Sequence, residues 1–195
     1  MLTLCMDTSH KYLSLALIKD HELIASYCEL CFKKQSENIF VELEKLFNQT
    51  VYKPLDIDSI CITKGPGSYT GVRIAMSIAK TMASLRNIPL YTISTLKLYA
   101  NNRPNTLVLL DARSNRAYNA IYNNNNLVEQ DNVKEIALID TINYYLVGDL
   151  SLIDKEDFYP NIPECFLNTK DSWNKEDNVD YITPTYLKDN NDYLI

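Results

Sequence analysis

The sequence predicts an α/β fold: a mixed sheet with flanking helices, followed by a second half that is reduced. Three observations predict it. Three short apolar segments within the first 30 residues are joined by links short enough for hairpins, the pattern of an antiparallel meander. From about residue 36 onward, helix-like and strand-like segments alternate, which adds strands with helices crossing between them. Three of the chain's four glycines fall in one run, Gly65-Pro66-Gly67-Ser68-Tyr69-Thr70-Gly71, set between a strand-like and a helix-like segment. A chain that nearly avoids glycine elsewhere uses it there because the backbone needs an unusual angle or a close approach.

The elements follow in order. Residues 2–6 read as a short buried strand, residues 12–18 as a second and residues 23–30 as a third, with links around Ser9-His10 and Asp20-His21. A helix spans about 36–48, with Ile39, Leu43 and Leu46 on one face and Phe40 and Phe47 beside it. Ser36 is its expected N-cap and Glu37 suits the first turn. A fourth strand covers 59–63, and a helix of about 70–86 follows the glycine turn. A fifth strand covers 90–93, and Ser94 caps a short helix that ends near Ala100. After the polar break at 101–105, strands are expected at 106–110 and 116–122, with a hairpin at 123–126 and a return at 127–129. A short helix at 136–143 and a strand at 144–147 closed by Gly148 come next; from Asp149 the pattern gives way to loops and short elements. The expected domains are therefore 1–103 and a smaller 104–195. The element order of the first matches the ribonuclease-H-like core of the actin/Hsp70/sugar-kinase superfamily.

Composition narrows the function. At 195 residues, 46% hydrophobic and 23% charged, the chain has the makeup of a soluble globular protein. No stretch approaches the ~20 apolar residues that span a bilayer, and Met1–Asp7 lacks a basic leader, so neither membrane nor export is expected. Five scattered cysteines suit reduced thiols in a cytoplasm. A net charge of −6 argues against a broad nucleic-acid-binding surface.

The glycine turn admits two uses. A glycine-rich loop before a helix can cradle phosphate, but a Walker loop needs Lys-Ser/Thr after its last glycine, and Val72-Arg73 stand here. A dinucleotide fingerprint belongs after a first strand with an acid about 20 residues on, and this turn follows the fourth. Spacing favours a turn that seats its helix hard on the sheet. In that helix Val72, Ala75, Met76, Ala79, Met82 and Ala83 share a face widened by Ile74, Ile78 and Leu85. The arc exceeds what one sheet contact needs, so a partner is as good a reading as full burial within the domain.

The run Gly-Pro-Gly-Ser-Tyr-Thr-Gly-Val-Arg-Ile over 65–74 resembles the TsaB (YeaZ) family. Asp7-Thr8-Ser9, Ser36-Glu37, Ser94-Thr95-Leu96, Leu110-Asp111-Ala112-Arg113, Ala117-Tyr118, Tyr122 and the late Pro184-Thr185-Tyr186-Leu187-Lys188 match it in the same order. Gln35 stands where that family commonly has histidine, Tyr69 where phenylalanine is common, and the stretch from 123 to 183 is short. The resemblance implies a non-catalytic subunit of the machinery that makes N6-threonylcarbamoyladenosine (t6A) at position 37 of tRNA. It implies a TsaD-like catalytic partner, a TsaE-like ATPase, homodimers in isolation, and tRNA met only through the complex. The helices over 36–48 and 70–86 would carry the partner contact, with Ile39, Leu43, Thr70, Arg73, Met76, Ala79, Lys80 and Ala83 as candidates. Ala79→Arg is then expected to break pairing. Gly65, Gly67 and Gly71 would shape the turn, and Asp7, Asp111 and Arg113 a polar junction.

Few residues suggest chemistry in the chain alone. Superfamily ATP users carry a glycine early in Asp-x-Gly-Thr/Ser, whereas Asp7-Thr8-Ser9-His10 has none. His10 and His21 sit in separate turns, and no His-x-x-x-His pair of the TsaD kind is present. Cys28 and Cys31 have CxxC spacing, but strand residues three apart point to opposite faces and a second pair is lacking. No metal and no cofactor held by this chain alone are expected, with ATP or ADP expected only in a complex. Strand alternation puts Asp111 and Arg113 on one face. The other reading is a small-molecule phosphotransferase of the same superfamily.

Overall fold

The structure, a computed structural model, describes residues 1–31 and 33–188. The meander consists of β1 (Leu2–Asp7), β2 (Tyr12–Lys19) and β3 (Glu22–Leu30), paired antiparallel. After α1 (Gln35–Asn48), β4 (Ser59–Thr63) joins β1 in parallel; after α2 (Tyr69–Arg86), β5 (Leu90–Ile93) joins β4 in parallel. Next come α3 (Thr95–Ala100), β6 (Thr106–Asp111), β7 (Arg116–Asn123), β8 (Asn126–Glu135) and β9 (Tyr145–Gly148). The chain closes with α4 (Ile162–Asn168) and the two-residue β10 (Asn174–Lys175). A six-stranded sheet has the order β10-β5-β4-β1-β2-β3 and a four-stranded sheet the order β8-β7-β6-β9. The mixed sheets with flanking helices are those the sequence predicts. Among the described residues no helix is long and apolar enough to cross a membrane.

Both faces of the first sheet are covered, so its central strands are apolar on both sides. In β1, Leu4 and Met6 face α1 and α2, while Cys5 faces the other way. In β2, Leu13, Leu15 and Leu17 share the first face and Ala16 and Ile18 the second. The second face meets α3, α4 and the second sheet through Leu96, Tyr99, Val108, Leu110 and Phe166. All six residues of α3 are buried, which makes it the wedge between the two sheets. Its Ser94 cap accepts the Lys97 N–H at 3.4 Å.

Three local differences have physical causes. α1 starts at Gln35 rather than Ser36, and no side chain caps it; instead the Gln35 amide donates to the His10 carbonyl at 2.8 Å. The helix expected at 136–143 is only a single 3₁₀ turn, Ile136–Leu138. Asp140 takes the Ile142 N–H at 2.9 Å and Asn143 adopts a left-handed φ of 65°, local bonds that compete with a helix. β8 runs far beyond 127–129 because it stays paired with β7 back to Arg116. Within the stretch expected to hold loops and short elements, α4 forms because Ile162, Cys165 and Phe166 bury one face at helical spacing.

Candidate partner-docking surface

The glycine turn is filled by the chain itself. Gly65 has φ +99° and leads into a cis peptide with Pro66. A Cβ on Gly67 would stand 2.2 Å from the Ser9 carbonyl oxygen, and one on Gly71 2.2 Å from that of Thr8. Ser68 donates its N–H to the Ser9 carbonyl at 2.7 Å, and the Thr8 hydroxyl donates to the Gly71 carbonyl at 2.6 Å. The glycines therefore let α2 start directly against the β1–β2 hairpin. Ser68 is the N-cap, accepting the Gly71 N–H at 3.2 Å.

Asp7 is consumed by the same hairpin. Its Oδ1 accepts the Ser9 N–H at 2.9 Å, the Ser9 hydroxyl at 2.6 Å and the Thr63 hydroxyl at 2.6 Å; its Oδ2 accepts the Tyr99 hydroxyl at 2.9 Å. The side chain is fully buried. These bonds tie β1, β4 and α3 together, and they occupy the oxygens that a catalytic carboxylate would direct at a substrate.

A cleft of about 740 Å³ opens beside the turn, lined among others by His10, Lys11, Asp111, Arg113, Asp149 and Asp157. Its charges largely satisfy one another. Asp149 is paired with His10 Nε2 at 2.8 Å and Lys11 Nζ at 3.0 Å, and Asp157 takes Lys11 Nζ at 2.8 Å. Asp149 also accepts the Asp111 N–H at 2.7 Å and the Tyr159 hydroxyl. Burial pushes the Asp149 carboxyl up, but the bonds from His10, Tyr159 and Asp111 outweigh it and hold the group well below the ordinary carboxylate range. This network joins the first hairpin to the second sheet, and the sequence reading missed it because its members lie 138 and 139 residues apart. A carboxyl with a depressed folded pKa stabilises above its unfolded value of about 3.9 and loses that contribution as the pH falls toward the folded value. Asp149→Asn is expected to cost about 3 kcal/mol at pH 7. Urea unfolding at pH 7 and pH 3 checks it, since the variant should lose less stability than the wild type on acidification.

Asp111 and Arg113 do not form the same-face strand pair that alternation predicts. β6 ends at Asp111, and Arg113, Ser114 and Asn115 all have left-handed φ, so the chain has already turned. Asp111 anchors that turn by accepting the Arg113 N–H at 2.6 Å. Cys28 and Cys31 are free thiols, Cys31 buried and Cys28 half-buried. Burial pushes the Cys28 thiol up to about 11, away from reactive thiolate. Among the described residues no three His, Cys, Asp or Glu side chains converge as a metal site.

The helices α1 and α2 present the other feature. Between them runs an apolar groove of about 590 Å³, lined by Phe40, Leu43 and Phe47 from one helix and Ile78 and Met82 from the other. Phe40 is 64% exposed at its rim. Here the candidate contact residues need correction. Ile39, Met76, Ala79 and Ala83 are buried in the core beneath the helices, because the 72–75–76–79–83 stripe is the one that faces the sheet. Leu43 is shared between core and groove. Thr70 and Arg73 are exposed, the Arg73 guanidinium lying 3.9 Å from the Tyr69 ring centroid. Lys80 donates to the carbonyls of Asp180 and Ile182 in the chain's own tail. The excess apolar arc is real, but it lies on the flank made by Ile74, Ile78 and Met82.

The family described as "TsaD: tRNA N6-adenosine threonylcarbamoyltransferase" matches residues 26–144. The "tRNA threonylcarbamoyladenosine biosynthesis protein TsaB" of Bacillus subtilis is 38% identical over 135 residues, 67% of this chain and 59% of that protein. The protein of the same name from Buchnera aphidicola of Schizaphis graminum is 30% identical over 70% of this chain and 67% of its own length. The chain belongs to the TsaB (YeaZ) family. The matched part thus spans under two thirds of the Bacillus protein's length. A solved YeaZ structure from Pseudomonas aeruginosa superimposes with TM-score 0.80 at 18% identity, covering 95% of this chain and 99% of that one. The fold is that of YeaZ.

Three of the TsaB-like motifs, scattered in sequence, meet: the late Pro-Thr-Tyr-Leu-Lys segment touches the glycine turn and the end of β6. Thr185 donates its N–H to the Lys64 carbonyl at 2.7 Å, and its own carbonyl crosses over Gly65. Tyr186 stacks on Tyr69 at 5.3 Å between centroids, with Arg73 over both rings. Lys188 donates to the Ala112 carbonyl, and both residues line the cleft. In this TsaB-family chain the late Pro-Thr-Tyr-Leu-Lys motif is therefore a strap over the glycine turn. Gln35, in place of the family's histidine, serves as the hairpin anchor described above.

Proposed function

We propose that this chain is a non-catalytic subunit of the t6A machinery and that it docks a TsaD-like catalytic subunit in the groove between α1 and α2. The observation that carries the proposal is that groove: an exposed phenylalanine and a Met–Ile flank on two helices, beside a cleft in which Asp149 and Asp157 are already paired. Solvent-facing apolar surface of this kind marks an interaction site. The family relatives, named for threonylcarbamoyladenosine biosynthesis, supply the pathway.

Several observations support a supporting role rather than chemistry. The bonds on Asp7 and the hairpin backbone against Gly67 and Gly71 occupy the places where a phosphotransferase would hold phosphate and metal. Nucleotide therefore belongs to the assembly, with a TsaE-like ATPase, and tRNA is reached through the TsaD-like partner. In isolation a second copy of the chain covers the same groove. Reconstitution tests the reading: TsaD-like and TsaE-like subunits, tRNA, ATP and the threonylcarbamoyl donor form t6A when this chain is added. Modification at the same rate without the chain overturns it.

A further inference from the structure

Lys80 holds a second feature in place next to the docking helix. Its Nζ donates to the carbonyls of Asp180 at 2.8 Å and Ile182 at 3.2 Å. The residue between them, Tyr181, is 81% exposed. Its turn, Val179–Tyr181, is fixed at both ends: the Asn178 side chain accepts the Asp180 N–H at 3.0 Å, and Ile182 is buried in the core under α1 and α2. A large aromatic on a rigid turn loses little freedom on contact, which is why tyrosine is enriched among residues that dominate binding. Ile78 and Met82 border the groove on one flank of α2, and Lys80 with the Tyr181 turn lies on the other. The surface between is made of exposed, small polar residues, Ser77, Thr81 and Ser84, so a partner helix laid along α2 comes close enough to reach both sides.

We propose that the Tyr181 turn is the second wall of the docking surface, opposite Phe40, with α2 as the floor and the TsaD-like subunit as the occupant. This rests on the docking reading above. The surface is continuous from the groove across α2 to the turn, and Lys80 acts as a positioning residue rather than a contact. The test is the affinity of the purified full chain for the TsaD-like subunit, by titration calorimetry, with melting temperature measured in parallel. Tyr181→Ala is expected to weaken binding by about tenfold or more with the melting temperature unchanged, and Tyr181→Phe to retain most of it. If Tyr181→Ala binds like the wild type while Phe40→Asp does not bind, the second wall is wrong and the groove stands. If neither variant changes binding, the docking reading fails and the wall with it.

Discussion

Gly67→Ala is expected to destabilise the chain by about 3 kcal/mol or more, a fall in melting temperature of about 6–12 °C. The reason is local and unforgiving. The added Cβ would lie 2.2 Å from the Ser9 carbonyl oxygen, 3.1 Å from its carbon and 3.2 Å from the Ser9 Cβ. Ser9 cannot retreat, because its N–H and its hydroxyl are both held by Asp7 at 2.9 and 2.6 Å, and its carbonyl accepts the Ser68 N–H at 2.7 Å. Relief would move the start of α2 away from the sheet, opening the core around Val72 and Ala75. Differential scanning calorimetry decides it. A glycine kept for phosphate would show the opposite result, an unchanged melting temperature.

Phe40→Asp is expected to leave the melting temperature within a degree or two and to weaken pairing with a TsaD-like subunit by about 100-fold or more, close to 3 kcal/mol. The side chain is 64% exposed, so the free chain loses little packing. In the complex the same carboxylate would be pressed against the apolar wall of Leu43, Phe47, Ile78 and Met82, where it loses its water. Ala79→Arg does not give this separation. Ala79 is fully buried against the sheet, so a guanidinium there would unfold the chain before it could report on a partner. Size-exclusion chromatography together with calorimetric titration distinguishes the two.

The central strands of the first half were legible because they are covered on both faces, so that every residue of β1 from Leu2 to Asp7 is buried and most are apolar. The glycine turn was legible as a seat for α2, since its neighbours excluded a phosphate loop. Its actual packing partner, the Thr8-Ser9 backbone, lies about sixty positions away and carries no local signal. The direction in which α2 faces was misjudged for a related reason. Periodicity gives an apolar arc but not its centre, and the small residues Ala75, Ala79 and Ala83 pack inward where the sheet approaches closely. The Asp149 network was invisible because burial and pairing, not residue type, set its properties. The short C-terminal elements were hidden by their Asp, Asn and Pro content, yet Ile182 in the tail turn and Ile162, Cys165 and Phe166 in α4 show that a few well-placed apolar side chains dock such segments.

The docking face itself is tested most directly by amide hydrogen exchange on the full chain, alone and with a TsaD-like subunit. Protection on complex formation is expected in α1 and α2, centred on Phe40 and on Ile78 to Met82, with little change in the cleft around Lys11 and Asp157. Protection confined to that cleft, or none in either helix while the complex forms, would contradict the account.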